Sequence, residues 1–375
     1  MKCIEIIKHI ESWAPKEIAW QKDNSGLQIG DTEKQVLNIL VCLEINDHVV
    51  AKALKKKCNL IISHHPFFFS PLKKIDIAND RKSRLIQNLI KHDIVLYSAH
   101  TNLDYTKEGV SYQLAKKMEL RNISFLANLK SNQYKLSVFV PENSLEAVSE
   151  AIFTSGGGII GEYSKCSFRT HGIGTFKGSE NTKPARGEKE SFTSVDEIKL
   201  EIMVDRWKVN KILAEIRKVH PYEEIAYDVV PLDNSNLNYG VGAIGYLNRG
   251  YKPDEFLDHI ENTLRIKNFR YTNGISKKIR KVAVCGGAGS EYFSDAIINN
   301  CDAFITADIK YHTFQDAKGE ILLVDAGHYE TEIYSLAEIK RRISLQLNEI
   351  KGSKVYLYSG STNPVIFYNN KGAIN

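Results

Sequence analysis

The sequence has no apolar run near the roughly 18 residues that cross a membrane, no C-x-x-C pair among its six cysteines, and no dense block of one charge. The first absence argues against a membrane-spanning chain. The opening residues, Met1 to Ile7, also lack the apolar core of a signal peptide and instead begin an amphipathic helix. The cysteines (Cys3, Cys42, Cys58, Cys166, Cys285, Cys301) lie mostly in or beside apolar runs, as reduced core cysteines do, which favours a cytoplasmic location. A formal net charge of +5 over 375 residues suits anionic small molecules but falls far short of a dedicated nucleic-acid binder. With 43% hydrophobic and 25% charged residues, the chain reads as an ordinary globular protein of two or three domains.

One short stretch organises the rest: Asn59-Leu60-Ile61-Ile62-Ser63-His64-His65-Pro66. Residues 59–62 read as a buried strand, with two adjacent histidines at its carboxyl end, where α/β sheets collect ligands and catalytic groups. Adjacent residues on an extended segment point to opposite sides, so one metal rarely takes both imidazoles. Two metals side by side could take one each. The plainer alternative is a pair of exposed turn histidines before a proline.

Ile4, Ile7, Ile10 and Trp13 predict a helix over residues 2–14, and Pro15 ends it. Asp23 and Asn24 in the turn-rich loop that follows read as turn formers. From there strands at 37–43, 59–62 and 94–97 alternate with helices at 47–57 and 79–92, the pattern of a parallel α/β sheet. Between about 128 and 236 the character changes. Strands at 135–141, 198–204 and 225–229 with helices at 144–154 and 207–219 suggest a ferredoxin-like domain, and Lys177 to Ser194 reads as a mobile Gly-, Lys- and Glu-rich loop. Within this region, Gly156-Gly157-Gly158 and His220-Pro221-Tyr222-Glu223-Glu224 read as a tight turn and a helix end, or as the lining of a ligand site.

The last third repeats the first. Leu40-Val41-Cys42 matches Ala283-Val284-Cys285, Cys58 to Ser63 matches Cys301 to Thr306, and Ile94 to His100 matches Leu322 to His328. The sequence therefore predicts an α/β fold of two related α/β halves with a metal cleft between them, residues 1–127 and 238–375, interrupted by an inserted α+β domain at 128–237. The repeat sets His100-x-x-x-Asp104 against His328-x-x-x-Glu332 at the ends of matching strands. A histidine and a carboxylate four apart share one helix face. With His64 and His65 this makes four histidines and two carboxylates, a donor set suited to zinc, iron, manganese or nickel. The alternative for each pair is a capping carboxylate beside a packing histidine.

Ser63-His64-His65-Pro66, Ala99-His100-Thr101-Asn102-Leu103-Asp104 and Asp325-Ala326-Gly327-His328-Tyr329-Glu330-Thr331-Glu332 resemble the motifs of the Nif-three-like family. Its members are called GTP cyclohydrolase 1 type 2 homologs, or dinuclear-metal-centre hexameric proteins. The resemblance covers residues 1–126 and 238–375, and 128–236 resembles the PII-like insertion of longer members. It implies two divalent metal ions per chain (zinc, iron or manganese), with His64, His65, Asp104, His328 and Glu332 as ligands. His100 stands beside the site, and His312 is a proton-transfer candidate or simply a helix residue. Glu44 stands where the family more usually has an aspartate. The implied activity is hydrolysis of a nucleotide-like small molecule, possibly GTP, by metal-bound hydroxide, within a homohexamer. The alternative is a metal-binding regulatory or scaffold protein with a PII-like sensing domain. Nucleic acid and membrane partners are not expected.

Overall fold

The structure, a computed structural model, describes residues 1–347 and 352–368. Residues 348–351 and 369–375 of the expected second half lie outside the described residues. The fold is mixed α/β, and the chain divides into two compact units, residues 1–127 with 239–375, and residues 128–238.

The first unit is built on two sheets. In one, the order is Gly26–Ile29, Val95–Ser98, Leu60–Ser63, Ile39–Cys42 and Val355–Leu357. Its last four strands run parallel, and Gly26–Ile29 is antiparallel to them. Ile39–Cys42, Leu60–Ser63 and Val95–Ser98 are buried at every position, as expected of parallel strands covered on both faces. Their alternation divides the side chains between two cores. Ile39, Val41, Leu60, Ile62, Val95 and Tyr97 pack with Ile6 and Ile10 of helix Cys3–Trp13 and Ile339 and Ile343 of helix Ser335–Leu347. Leu40, Cys42, Ile61 and Leu96 pack on the opposite face with Val49 of helix Asp47–Lys55 and Leu85 and Leu89 of helix Arg81–Lys91. Asn46 and Asp80 cap these two helices, accepting from the Val49 and Ser83 amides.

The other sheet has the order Arg270–Thr272, Leu322–Asp325, Ala303–Ala307, Ile279–Ala288, Ala243–Tyr251 and Arg121–Ser124. Its parallel centre, 322–325 beside 303–307 beside 279–288, has the same relative order as 95–98, 60–63 and 39–42 in the first sheet. Here too alternate residues serve two cores, Val282, Val284, Ile305 and Val324 on one face and Ala283, Phe304 and Leu323 on the other. Each sheet is completed by a strand from the far side of the sequence. Val355–Leu357 pairs with Ile39–Cys42, and Arg121–Ser124 pairs with Ala243–Tyr251.

The second unit runs strand Gln133–Pro141, helix Leu145–Thr154, strands Phe168–Lys177 and Phe192–Asp205, helix Val209–Val219 and strand Tyr227–Pro231. Its antiparallel sheet has the order 227–231, 133–141, 192–205, 168–177. Leu136, Val138, Leu200 and Ile202 meet Val148, Ile152, Ile212 and Ile216 of the two helices. The segment expected as a loop from Lys177 to Ser194 is shorter, because Phe168–Lys177 and Phe192–Asp205 form a long antiparallel pair that takes in both of its ends.

Phe304 is fully buried on a central strand of the second sheet. Phe304→Ala is expected to cost about 3–5 kcal/mol through lost burial and the cavity left behind. A thermal or urea midpoint unchanged from wild type would contradict this packing.

Candidate metal centre

His64 and His65 leave strand Leu60–Ser63 at its carboxyl end, with their amides still donating to Cys42 and Leu43 carbonyls. That extended backbone turns the two rings apart, 4.8 Å between centroids and tilted by 48°. His64 is wholly buried, and its Nδ1 lies 2.8 Å from the Ala99 carbonyl. A carbonyl only accepts, so Nδ1 carries a proton and Nε2 is the nitrogen turned to the carboxylates. That Nε2 faces Asp104 Oδ1 and Glu332 Oε1, each 3.6 Å away. His65 is backed by Glu44, Nδ1 to Oε1 at 3.1 Å, and turns its Nε2 to Glu332 Oε2 at 3.0 Å.

The chain after the third strand, Val95–Ser98, does turn helical, as Thr101–Asp104, with His100 at its N-cap. His100 Nδ1 is 2.7 Å from Asp23 Oδ1, and Asp23 Oδ2 accepts from the Thr101 hydroxyl at 2.6 Å. On the other sheet, helix His328–Glu332 puts His328 Nε2 3.0 Å from Glu332 Oε1. His328 Nδ1 rests on Asp308 Oδ2 at 2.6 Å. Asp308 follows strand Ala303–Ala307 in a left-handed conformation, φ 54°, which aspartate tolerates better than most residues. His65 and His328, 263 positions apart in sequence, bring their Nε2 atoms within 3.3 Å.

Two groups of donors result, His64 with His65 and His100, and His65 with His328 and Glu332, each with its ligand atoms within 4.8 Å of one another. They share His65. The fit to a metal rests on atoms that have no other use. His64 Nε2, Asp104 Oδ1 and Glu332 Oε2 are buried without an aligned hydrogen-bond partner, a state that normally costs about 1–3 kcal/mol per group or more for charged ones. The backbone makes room for them at Gly287, φ 66°, where a Cβ would lie 2.3 Å from Glu332 Oε1 and 3.3 Å from His328 Nε2. Thr331 and Thr306 hydroxyls hold that glycine's amide and carbonyl, both at 3.0 Å. Every imidazole is also backed on Nδ1 by an oxygen, the arrangement that fixes tautomer and orientation in metal-binding histidines.

The electrostatics follow from this crowding. Burial opposes charge on His65, but Glu332 and Glu44 outweigh it and lift the imidazole to about 10. Burial likewise opposes charge on His328, and Glu332 and then Asp308 lift it to about 9. Burial would raise Glu332, yet His64, His328 and His65 together hold its carboxyl well below the usual range. Asp104 is raised, chiefly by burial, with His64 and His100 opposing. Burial would raise Asp23 too, but its bonds to His100, Ser25 and Thr101 hold it far down.

His64, His65, His100, Asp104, His328 and Glu332 therefore converge. His312 does not join them; it is exposed on helix Tyr311–Ala317, its ring against Tyr311. Asp23, Asp308 and the Ala99 carbonyl were not singled out for this work by the sequence. Asp23 stands 77 positions from His100, and nothing in a turn-forming loop signals that pairing. Glu44 supports His65 directly. A cavity of about 600 Å³ opens on the centre, with Trp20, Phe69, Tyr105 and Tyr292 among its walls.

Two outcomes follow. A metal ligand must be a neutral imidazole, whereas His65 and His328 carry protons at pH 7 in the metal-free protein. Zinc binding should therefore release about two protons at pH 7, and affinity should rise as pH rises towards 9. Calorimetry in buffers of different ionisation enthalpy reads this directly, and pH-independent binding would contradict it. Asp308→Ala should weaken metal binding about 10- to 100-fold with the fold intact, as loss of an outer partner of a ligand does. Unchanged affinity would remove Asp308 from the centre.

Known proteins resemble this chain over nearly its whole length. The model of the family Duf34/NIF3 (NGG1p interacting factor 3) matches residues 1–364. A "GTP cyclohydrolase 1 type 2 homolog" from Halalkalibacterium halodurans is 37% identical over 365 residues, 96% of this chain and 98% of the relative. One from Bacillus subtilis is 35% identical over 366 residues, 97% and 98% of the two chains. The crystal structure of a Bacillus cereus protein related to NIF3 superposes with a TM-score of 0.85 at 35% identity, covering 98% of this chain and 99% of that one. With the family model spanning nearly the whole chain and relatives this similar end to end, the protein belongs to the Duf34/NIF3 family.

Proposed function

We propose that the protein is a dinuclear-metal-dependent hydrolase acting on a nucleotide-like small molecule. The observation that carries this reading is the pair of overlapping donor groups that share His65, with Glu332 reaching imidazoles of both. Two divalent ions held there, zinc, iron or manganese, would acidify water and polarise a substrate oxygen together. His64, His65 and His328 would bind through Nε2, and Asp104 and Glu332 through carboxylate oxygens. His100 faces the same space on its Nε2 side, and Asp23 on its Nδ1 fixes the ring, so it is placed to hold or pass a proton. The aromatic walls Trp20, Phe69, Tyr105 and Tyr292 suit a flat ring held over the centre. The names of the relatives favour a purine nucleotide such as GTP.

The same reading extends to architecture. Three parallel strands in one order in both sheets support two related halves with the metal cleft between them. The strand-helix-strand-strand-helix-strand succession of 128–238 supports an inserted ferredoxin-like, PII-like domain. A cytoplasmic homohexamer is the assembly we propose with it.

Elemental analysis of freshly purified protein should find about two divalent ions per chain. They should be lost in Glu332→Gln. Formate release from GTP, and hydrolysis of a wider nucleotide panel, should fall about 100-fold or more in His65→Ala. Metal-loaded wild type that turns over none of these, while still binding metal, would favour the regulatory reading over the enzymatic one. Protein that takes up neither zinc, manganese nor iron would end both.

A further inference from the structure

A second cavity, of about 410 Å³, lies wholly within the unit 128–238, and the metal centre makes no use of it. Its size falls in the range of small-molecule sites, which are typically about 300–1,000 Å³ with apolar walls and a few convergent polar groups. The walls include the rings of Phe139, Phe176 and Tyr222, and Pro184 from the loop that joins strands Phe168–Lys177 and Phe192–Asp205. That loop is tied to the rim, for the Lys183 amide donates to Glu223 Oε1 at 2.7 Å.

The motif His220-Pro221-Tyr222-Glu223-Glu224 acquires a purpose here. Buried His220 is a brace. Its Nε2 donates to the Phe139 carbonyl at 3.1 Å, and its Nδ1 accepts from the Tyr222 amide at 3.2 Å. This single tautomer pins the turn so that Tyr222 faces the cavity. The Tyr222 hydroxyl is buried with no aligned hydrogen-bond partner, beside the Glu197 carboxylate. Glu197 reaches the cavity from strand Phe192–Asp205 across Gly174, where a Cβ would come within 2.2 Å of its Oε2. Its neighbour there is the Tyr222 hydroxyl. The carboxylate has the Tyr222 hydroxyl beside it and acceptor capacity to spare, which a donor from outside would use.

We propose that this cavity is a small-molecule site for a flat aromatic or heteroaromatic amine, its ring between Phe139, Phe176 and Tyr222 and its N–H donors on Glu197. The carboxylate sets the sign. Glu197, Glu223 and Glu224 outnumber Lys177 and Lys183 on the lining, and Glu197 is the carboxylate beside the Tyr222 ring, so an amidinium or amino-heterocycle there meets acceptors. The ring walls set the shape, since aromatic side chains favour stacking on a flat partner. The inference is independent of the reaction at the metal centre and of its substrate.

Benzamidine and acetophenone test it, being of similar size and shape, the first with N–H donors and the second without. Ligand-observed NMR titration of the full-length, metal-loaded protein should give benzamidine a Kd of about 1 mM or tighter, typical of a fragment held by one charge pair. Acetophenone should bind at least about tenfold more weakly. Glu197→Gln should weaken benzamidine at least about tenfold and Tyr222→Phe by less, with melting temperatures near wild type. His65→Ala should leave benzamidine binding unchanged, which separates this cavity from the metal centre. Equal affinity for the two probes, no benzamidine binding at about 10 mM, or binding unaffected by both cavity variants would overturn the proposal.

Discussion

The burial of the Glu332 carboxylate among imidazoles is the interaction on which the centre depends. Glu332 is almost wholly buried, and His64, His65 and His328 all approach it within 3.6 Å. A lone carboxylate in such a place would be neutralised by protonation, because its desolvation exceeds what isolated dipoles return. Here three rings hold it ionised, and two of those rings hold protons well above their ordinary range. The site is thus a compact set of opposite charges. Asp104, nearby and raised by burial, is the less firmly ionised of the two carboxylates.

Precision at this point is supplied from behind. Ala99, Glu44, Asp23 and Asp308 each take the far nitrogen of one imidazole. Those oxygens come from or beside the carboxyl ends of different strands and from the loop before Gly26–Ile29. The two sheets therefore act on the centre as a frame, and their fully buried parallel strands leave little freedom to drift. Gly287 completes the frame by withholding a side chain where Glu332 must sit.

Legibility in the sequence followed burial. Strands such as Leu60–Ser63 and Ala303–Ala307 are apolar on both faces and stand out as runs. The four-residue spacing of His100 with Asp104 and His328 with Glu332 became geometry as soon as the chain turned helical. Phe168–Lys177 was not legible, because an exposed edge strand broken by Gly172 and Gly174 carries no hydrophobic alternation. Asp23 and Asp308 escaped for another reason. Their partners lie 77 and 20 positions away, and only the folded backbone relates them. Glu44 was visible as a departure from the family pattern, but its contact with His65 needed coordinates.

The exchange of closing strands between the two sheets has a consequence for how the molecule comes into being. Ile39–Cys42 waits for Val355–Leu357, more than three hundred residues later, before its outer edge is covered. During synthesis that edge stays open while the four-stranded sheet of the unit 128–238, whose strands pair with one another, is already complete in sequence. The second donor group is complete only once His328 and Glu332 have been made, whereas His64, His65 and His100 all lie in the first third of the chain. The order of translation thus makes Glu332, the carboxylate among the imidazoles, one of the last parts of the centre to arrive.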